Sequence, residues 1–285
     1  MKDVVPPIVS PVALVAGGGT LPFAVADSLA GRGISVVIFP LQGFCDPERV
    51  KAYRHHWVRL VQIGRLTRLA HAEGCKDMVF IGSLYRPRFF DMSLDWGAIR
   101  VIAKLLLSFR GGDDHLLRTG SKIFEQNGFR LRGIGEVAPD LLMPAGCLTT
   151  KTPSENAQAD IGVGRDLLLA LSPFDVGQAV VVIDNHVVAV EDIEGTDGLL
   201  ARVARLREVG RIPAKPGRGV LVKMPKSGQD LRLDLPAVGP KTIEGAAAAG
   251  LAGVAVVAGH TLVAELQNVI DAADRAGLFV TGLPA

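Results

Sequence analysis

Lys223, Lys226, Gln229, Asp230, Arg232, Asp234 and Thr242 fall within twenty residues of one another. From Asp230 to Leu235 charged and apolar residues alternate, with Asp230, Arg232 and Asp234 on one side and Leu231, Leu233 and Leu235 on the other. A period of two predicts a strand, and Pro236 and Pro240 exclude a helix running through it. Three charges on one strand face must meet water, a partner or an ion. Gly239-Pro240 then reads as a turn, with Thr242 as the N-cap of a helix from Ile243. Carboxylates, lysines and a helix N-terminus in one short unit suit a metal-dependent enzyme acting on a phosphate ester. The plainer alternative is a salt-bridged edge strand facing solvent.

Strand geometry divides the work of the two carboxylates. At about 3.3 Å per residue, Asp230 and Asp234 would stand roughly 13 Å apart, too far to share one ion on a regular strand. Asp234 lies nearer the expected helix start and is the favoured catalytic or metal-binding carboxylate. Asp230 would bind metal or pair with Arg232 or Lys226. The acidic run Glu191-Asp192-Ile193-Glu194 ranks second as a metal site, with a solvated loop as its alternative. Thr196 or Asp197 would cap the helix that follows.

The elements that must hold these residues read as α/β. An apolar run, Val12 to Ala16, ends in Gly17-Gly18-Gly19-Thr20 and feeds a helical pattern from Pro22, with a second strand at Ser35 to Phe39. This β–glycine loop–α–β unit opens a Rossmann-like domain. The dinucleotide fingerprint is incomplete, because Pro22 stands where the third glycine belongs and no acidic residue closes the second strand. Amides of the loop binding a phosphate, or a tight turn alone, are the other readings. Strands are expected at Trp57 to Gln62 and Met78 to Ile81, the latter ending in Gly82-Ser83 where α/β ligand sites gather. Tyr85 to Arg88 follows as a basic loop, then a helix from Asp95 to Phe109. Asp113 and Asp114 open the next helix, which capping alone explains, and Phe129 to Ile134 is expected as the strand that closes the first domain. A Pro/Gly-containing crossing near Met143 places the boundary between domains 1–142 and 143–285. In the second domain a hairpin turns at Asp184-Asn185-His186, and strands and helices alternate to the end.

The bulk numbers narrow the function classes. The 285 residues are 48% hydrophobic and 5% aromatic with 33 glycines, and mean hydropathy is +0.32, as in a well-filled α/β core. A net charge of +2 with no basic run interleaved with aromatics argues against nucleic-acid binding. The longest apolar run, Ala246 to Gly259, is shorter than the roughly 20 residues a membrane span needs. The first residues lack a signal-peptide core, so a cytoplasmic location is expected. Cys45, Cys75 and Cys147 are isolated and read as buried thiols in a reducing compartment.

The motif Lys223-x-x-Lys226-x-x-Gln229-Asp230-x-Arg232-x-Asp234-x-Pro236-x-x-Gly239-x-x-Thr242 resembles the signature of the LpxI-type UDP-2,3-diacylglucosamine pyrophosphatases. Ala16 to Pro22, Gly112 to Arg118, and Asp175 to Val181 leading to Glu194-Gly195-Thr196-Asp197 agree in order. The resemblance implies a lipid A pathway enzyme of Gram-negative bacteria that yields 2,3-diacylglucosamine 1-phosphate and UMP. It implies water attack at the α-phosphorus, with Mg²⁺ or Mn²⁺. It further implies a homodimer in which the lipid lies between a Rossmann-like N-terminal domain and a catalytic C-terminal α/β domain. Carried over residue by residue, catalysis falls to Asp234, with Asp230, Gln229 and Lys223 in support and metal on Asp234 and Asp230. Substrate contacts fall to Gly17, Gly19, Thr20, Gly82, Asp113, Asp114, Gln178, Thr196, Asp197, Lys226, Arg232 and Thr242. Each methylene leaving water contributes about 0.8 kcal/mol. Transient contact with the inner-membrane surface and an apolar cavity near Asp234 are therefore expected. A Rossmann-type oxidoreductase and a non-catalytic nucleotide-sugar or lipid binder are the alternatives.

Overall fold

The computed structural model describes residues 6–60, 62–83, 121–174, 176–212, 215–227 and 229–285. Tyr85 to Arg88, the helix expected at Asp95 to Phe109, and Gly112, Asp113 and Asp114 lie outside the described residues. The chain divides into two compact units, Met1–Asp140 with Arg232–Asp234, and Leu141–Leu231 with Leu235–Ala285.

In the first unit β1 (Val12–Ala16), β2 (Val36–Pro40), β3 (Asp77–Ile81) and β4 (Arg130–Leu131) form a parallel sheet in the order β2-β1-β3-β4. All five residues of β1 are buried, as a central parallel strand covered on both faces requires. Helix α1 (Leu21–Gly31) packs on β1 and β2. Leu66 and Ala70 of α3 (Ile63–Ala72) join Ala13, Val15, Phe39 and Met78 in one apolar cluster. A short helix, α2 (Pro47–Val50), starts at Asp46, whose carboxylate accepts from the amides of Glu48 and Arg49. Another, α4 (Ile134–Val137), follows β4.

Two expected strands here are corrected. The described residues of Trp57 to Gln62 form none; His55 and Val58 make single bridges to Ile38 and Leu41. Val58 is buried while Leu60 is exposed, so the run is too irregular to sustain a ladder. The strand expected at Phe129 to Ile134 is reduced to Arg130–Leu131, because Gly133 starts α4 and accepts from Glu136 and Val137.

The second unit holds a mixed six-stranded sheet, β5-β10-β9-β8-β6-β7. Its strands are β5 (Gly146–Cys147), β6 (Ala179–Ile183), β7 (His186–Val190), β8 (Val220–Lys223), β9 (Gly253–Val257) and β10 (Phe279–Leu283). Pairs β8–β9 and β9–β10 are parallel; β5–β10, β6–β8 and β6–β7 are antiparallel. Alternation along each strand sends residues to two cores. Val181, Leu221 and Val254 meet Leu199 of α6 (Gly195–Glu208), Ile243 of α7 (Pro240–Ala248) and Val269 of α8 (Leu266–Ala276). Val180, Val222 and Phe279 meet Ala157, Ile161 and Leu168 of α5 (Glu155–Leu171). The β6–β7 hairpin turns at Asp184 and Asn185 with φ of 53° and 62°, the left-handed pair that a two-residue hairpin demands.

Candidate active site

Three strand ends explain where functional groups collect in the second unit. Because β6 runs antiparallel to both β7 and β8, its beginning lies beside their ends. Gln178, Glu191 and Lys223 therefore become neighbours. The Gln178 carbonyl accepts from the Met224 amide at 2.9 Å, and the Glu191 amide donates to the Ala179 carbonyl at 2.8 Å.

Their side chains interlock. Lys223, buried at 6% exposure, donates from Nζ to Thr196 Oγ1 at 2.9 Å and to the Ala237 carbonyl at 3.1 Å. Thr196 in turn donates to Glu191 Oε1 at 2.6 Å, and Glu191 Oε2 accepts the Gln178 amide at 2.8 Å. Glu191 is also 6% exposed, so the acidic loop is not uniformly solvated, and both oxygens of this carboxylate already hold protein donors. Gly177 is required beside it, since a Cβ there would stand 2.3 Å from the Glu191 carbonyl oxygen. Glu194, meanwhile, pairs with Arg202. The caps expected from Thr196 or Asp197 do not form: α6 begins after Glu194, and Thr196 uses its hydroxyl within this cluster. Asp197 sits in the first turn of α6.

The charged segment is not a strand. Residues 231–233 form a turn, and only Ala237 makes a bridge, to Leu262. Alternation of charge and leucine records which side chains avoid water, but a strand also needs a neighbour for its backbone. Here Leu233 packs against the apolar cluster of the first unit, and Arg232 reaches Glu125 at 3.1 Å. Arg232 and Asp234 belong to the first unit, Asp230 to the second. The 13 Å separation presumes an extended strand, so it loses its premise. Lys226 and Gln229 close a turn of their own, in which Gln229 Oε1 accepts the Lys226 amide at 2.9 Å. Thr242 is not the cap of the next helix: Gly239 takes that place, Pro240 begins α7, and Thr242 is buried one turn in.

In the first unit the glycine loop meets the loop after β3. The Gly17 amide donates to the Ile81 carbonyl at 2.8 Å, and Gly18 and Ser83 exchange bonds at 2.9 and 3.0 Å. Gly82, at φ 108°, lies so close that a Cβ would stand 2.8 Å from the Gly17 carbonyl carbon. The amides of Gly17 and Gly18 are thus taken by protein carbonyls, whereas Gly19 and Thr20 are exposed at the start of α1. Among the described residues, no three His, Cys, Asp or Glu side chains gather as ligands for a metal ion. None of the helices formed by the described residues is long and apolar enough to cross a membrane.

The class so defined is a two-unit α/β protein with one parallel and one mixed sheet. The model of the LpxI N-terminal domain matches residues 11–141, and that of the LpxI C-terminal domain matches residues 144–281. The chain is also similar to the UDP-2,3-diacylglucosamine pyrophosphatase LpxI of Caulobacter vibrioides, at 39% identity over 270 residues. That match spans 95% of this chain and 96% of the relative. More particularly, then, this chain belongs to the LpxI family.

Proposed function

We propose that this chain is an enzyme that hydrolyses UDP-2,3-diacylglucosamine to 2,3-diacylglucosamine 1-phosphate and UMP, in lipid A biosynthesis. The observation that carries this reading is likeness over nearly the whole length to a relative named for that pyrophosphatase activity, with both domain models matched. Water attacks the α-phosphorus on the uridine side, and the bond from that phosphorus to the bridging oxygen breaks. Asp234 orients the water and takes its proton. Lys223, with its stem buried and its ammonium held by Thr196, offers a fixed positive charge to phosphate oxygens. Asp230, Gln229, Lys226 and Arg232 support substrate binding, as do Gln178, Asp197 and Thr242. In the first unit Gly19 and Thr20 present a helix start to an anion.

Mg²⁺ or Mn²⁺ fits the donor set by chemistry. Carboxylate oxygens are hard ligands, and Mg²⁺ is commonly held by one or two carboxylates plus substrate phosphates, so a dedicated cage of three is not needed. Asp234 and Asp230 would hold it, and the bound ion would neutralise charge on the diphosphate. The parallel order β2-β1-β3-β4 with a glycine loop after β1 supports reading the first unit as Rossmann-like. A homodimer, a cytoplasmic location and transient contact with the inner-membrane surface complete the reading.

Replacing Asp234 by Ala tests it. Hydrolysis should fall at least a hundredfold while bound substrate is retained. Undiminished turnover would remove Asp234 from catalysis, and substrate binding without turnover by the wild-type chain would favour a non-catalytic binder. A fluorescence titration with NAD(P)H separately tests for a dinucleotide oxidoreductase; no binding is expected.

A further inference from the structure

We infer that Glu191 is a positioning residue for this reaction, acting on Lys223 through the hydroxyl of Thr196; the inference rests on the hydrolytic reading above. A lysine ammonium carries donors only, and a threonine hydroxyl carries one donor and lone pairs to accept with. The direction of the chain is therefore fixed. Lys223 Nζ donates to Thr196 Oγ1, and Thr196 can accept it there because its own proton is committed to Glu191 Oε1. Glu191 in turn is held from its other oxygen by the Gln178 amide, and its backbone by Ala179.

Electrostatics requires such a partner. Thr196 lies in the first turn of α6, where the aligned peptides leave a partial positive charge. An ammonium placed against that turn, at 6% exposure, is disfavoured by the helix and by loss of water. The Glu191 carboxylate offsets both effects. It does so two hydrogen bonds away, and the ammonium it steadies, which also donates to the Ala237 carbonyl at 3.1 Å, is the fixed positive charge offered to phosphate. Glu191 is itself buried, with each oxygen already holding a protein donor, so it is placed to orient rather than to touch substrate.

The test is a double-mutant cycle on the full chain, with UDP-2,3-diacylglucosamine as substrate and kcat and KM measured separately. Glu191→Gln and Thr196→Val should each lower kcat about ten- to a hundredfold, the worth of a hydrogen bond to a charged group, with KM moving less than threefold. The double variant should lose no more than the worse single one, because both substitutions cut the same chain. Thermal unfolding of each variant checks that it folds; if Glu191→Gln does not, Thr196→Val carries the test by its split between kcat and KM. Losses that multiply, a kcat within twofold of wild type, or a rise in KM alone would overturn the role of Glu191. Absence of hydrolysis by the wild-type chain would instead overturn the reading on which it rests.

Discussion

Single residues decide the chemistry, and they were unequally legible. Lys223 was visible because it opens the segment of lysines and carboxylates whose motif resembles the LpxI signature. Glu191 was not. In Glu191-Asp192-Ile193-Glu194 all three carboxylates look alike, and only pairing across strand ends buries one while Ile193 stays exposed at 87%. The thiols offer a check on burial at this scale. Against the expectation of three buried thiols, Cys147 is exposed, since it lies on the two-residue edge strand β5, while Cys45 and Cys75 are buried; burial raises the pKa of both, that of Cys75 to about 11. Thiolate is the reactive form, so in native protein at pH 8 a maleimide should label one site, at Cys147. All three should react after unfolding. Rapid native labelling of Cys75, read by peptide mass, would contradict the packing of the first unit.

At the scale of elements, buried charges set the stability of the first sheet. Asp77, the first residue of β3, is fully buried and bonds to Arg130 and Arg132 at 2.8 and 2.9 Å; Arg132 extends the network to Glu136. Removing one partner leaves a buried charge uncompensated, so Asp77→Ala should cost about 3–5 kcal/mol in urea unfolding. A loss below 1 kcal/mol would mean that the network is solvated. Nothing in the sequence announces this role, since the partners lie 53 and 55 positions away. The β6–β7 hairpin shows the same mixture. Asp184-Asn185 was readable as a turn, but its support was not: Asp160 of α5 accepts from both turn amides, at 3.3 and 2.6 Å. Burial raises the pKa of Asp160, so its contribution is full below the ordinary value of 3.8 and declines as pH rises through the folded value. Glu73 has the opposite sign. Hydrogen bonding to His56 lowers its pKa, with Arg54 assisting. Its contribution is therefore present above the ordinary 4.5 and lost as pH falls through the folded value. Glu73→Gln should lower stability by about 1 kcal/mol at pH 7, Arg54 being largely exposed. The gap to wild type should close on acidification; a constant gap from pH 7 to pH 3 would contradict the ion pair.

For the whole molecule, the α/β class and most strands followed from apolar runs punctuated by glycine, and the family followed from motifs spread along nearly all of the chain. The charged segment misled for a physical reason: alternation reports amphipathicity, whereas a strand also requires a hydrogen-bonding neighbour. Arg232–Asp234 instead belongs to the first unit, a tertiary fact with no local signal. The central claim concerns where water enters the substrate. Incubating the full chain with UDP-2,3-diacylglucosamine and Mg²⁺ in H₂¹⁸O, then weighing both products, tests it most directly. Attack at the uridine-side phosphorus places one ¹⁸O in UMP and none in the sugar phosphate; label in the sugar phosphate, or no hydrolysis at all, would contradict it.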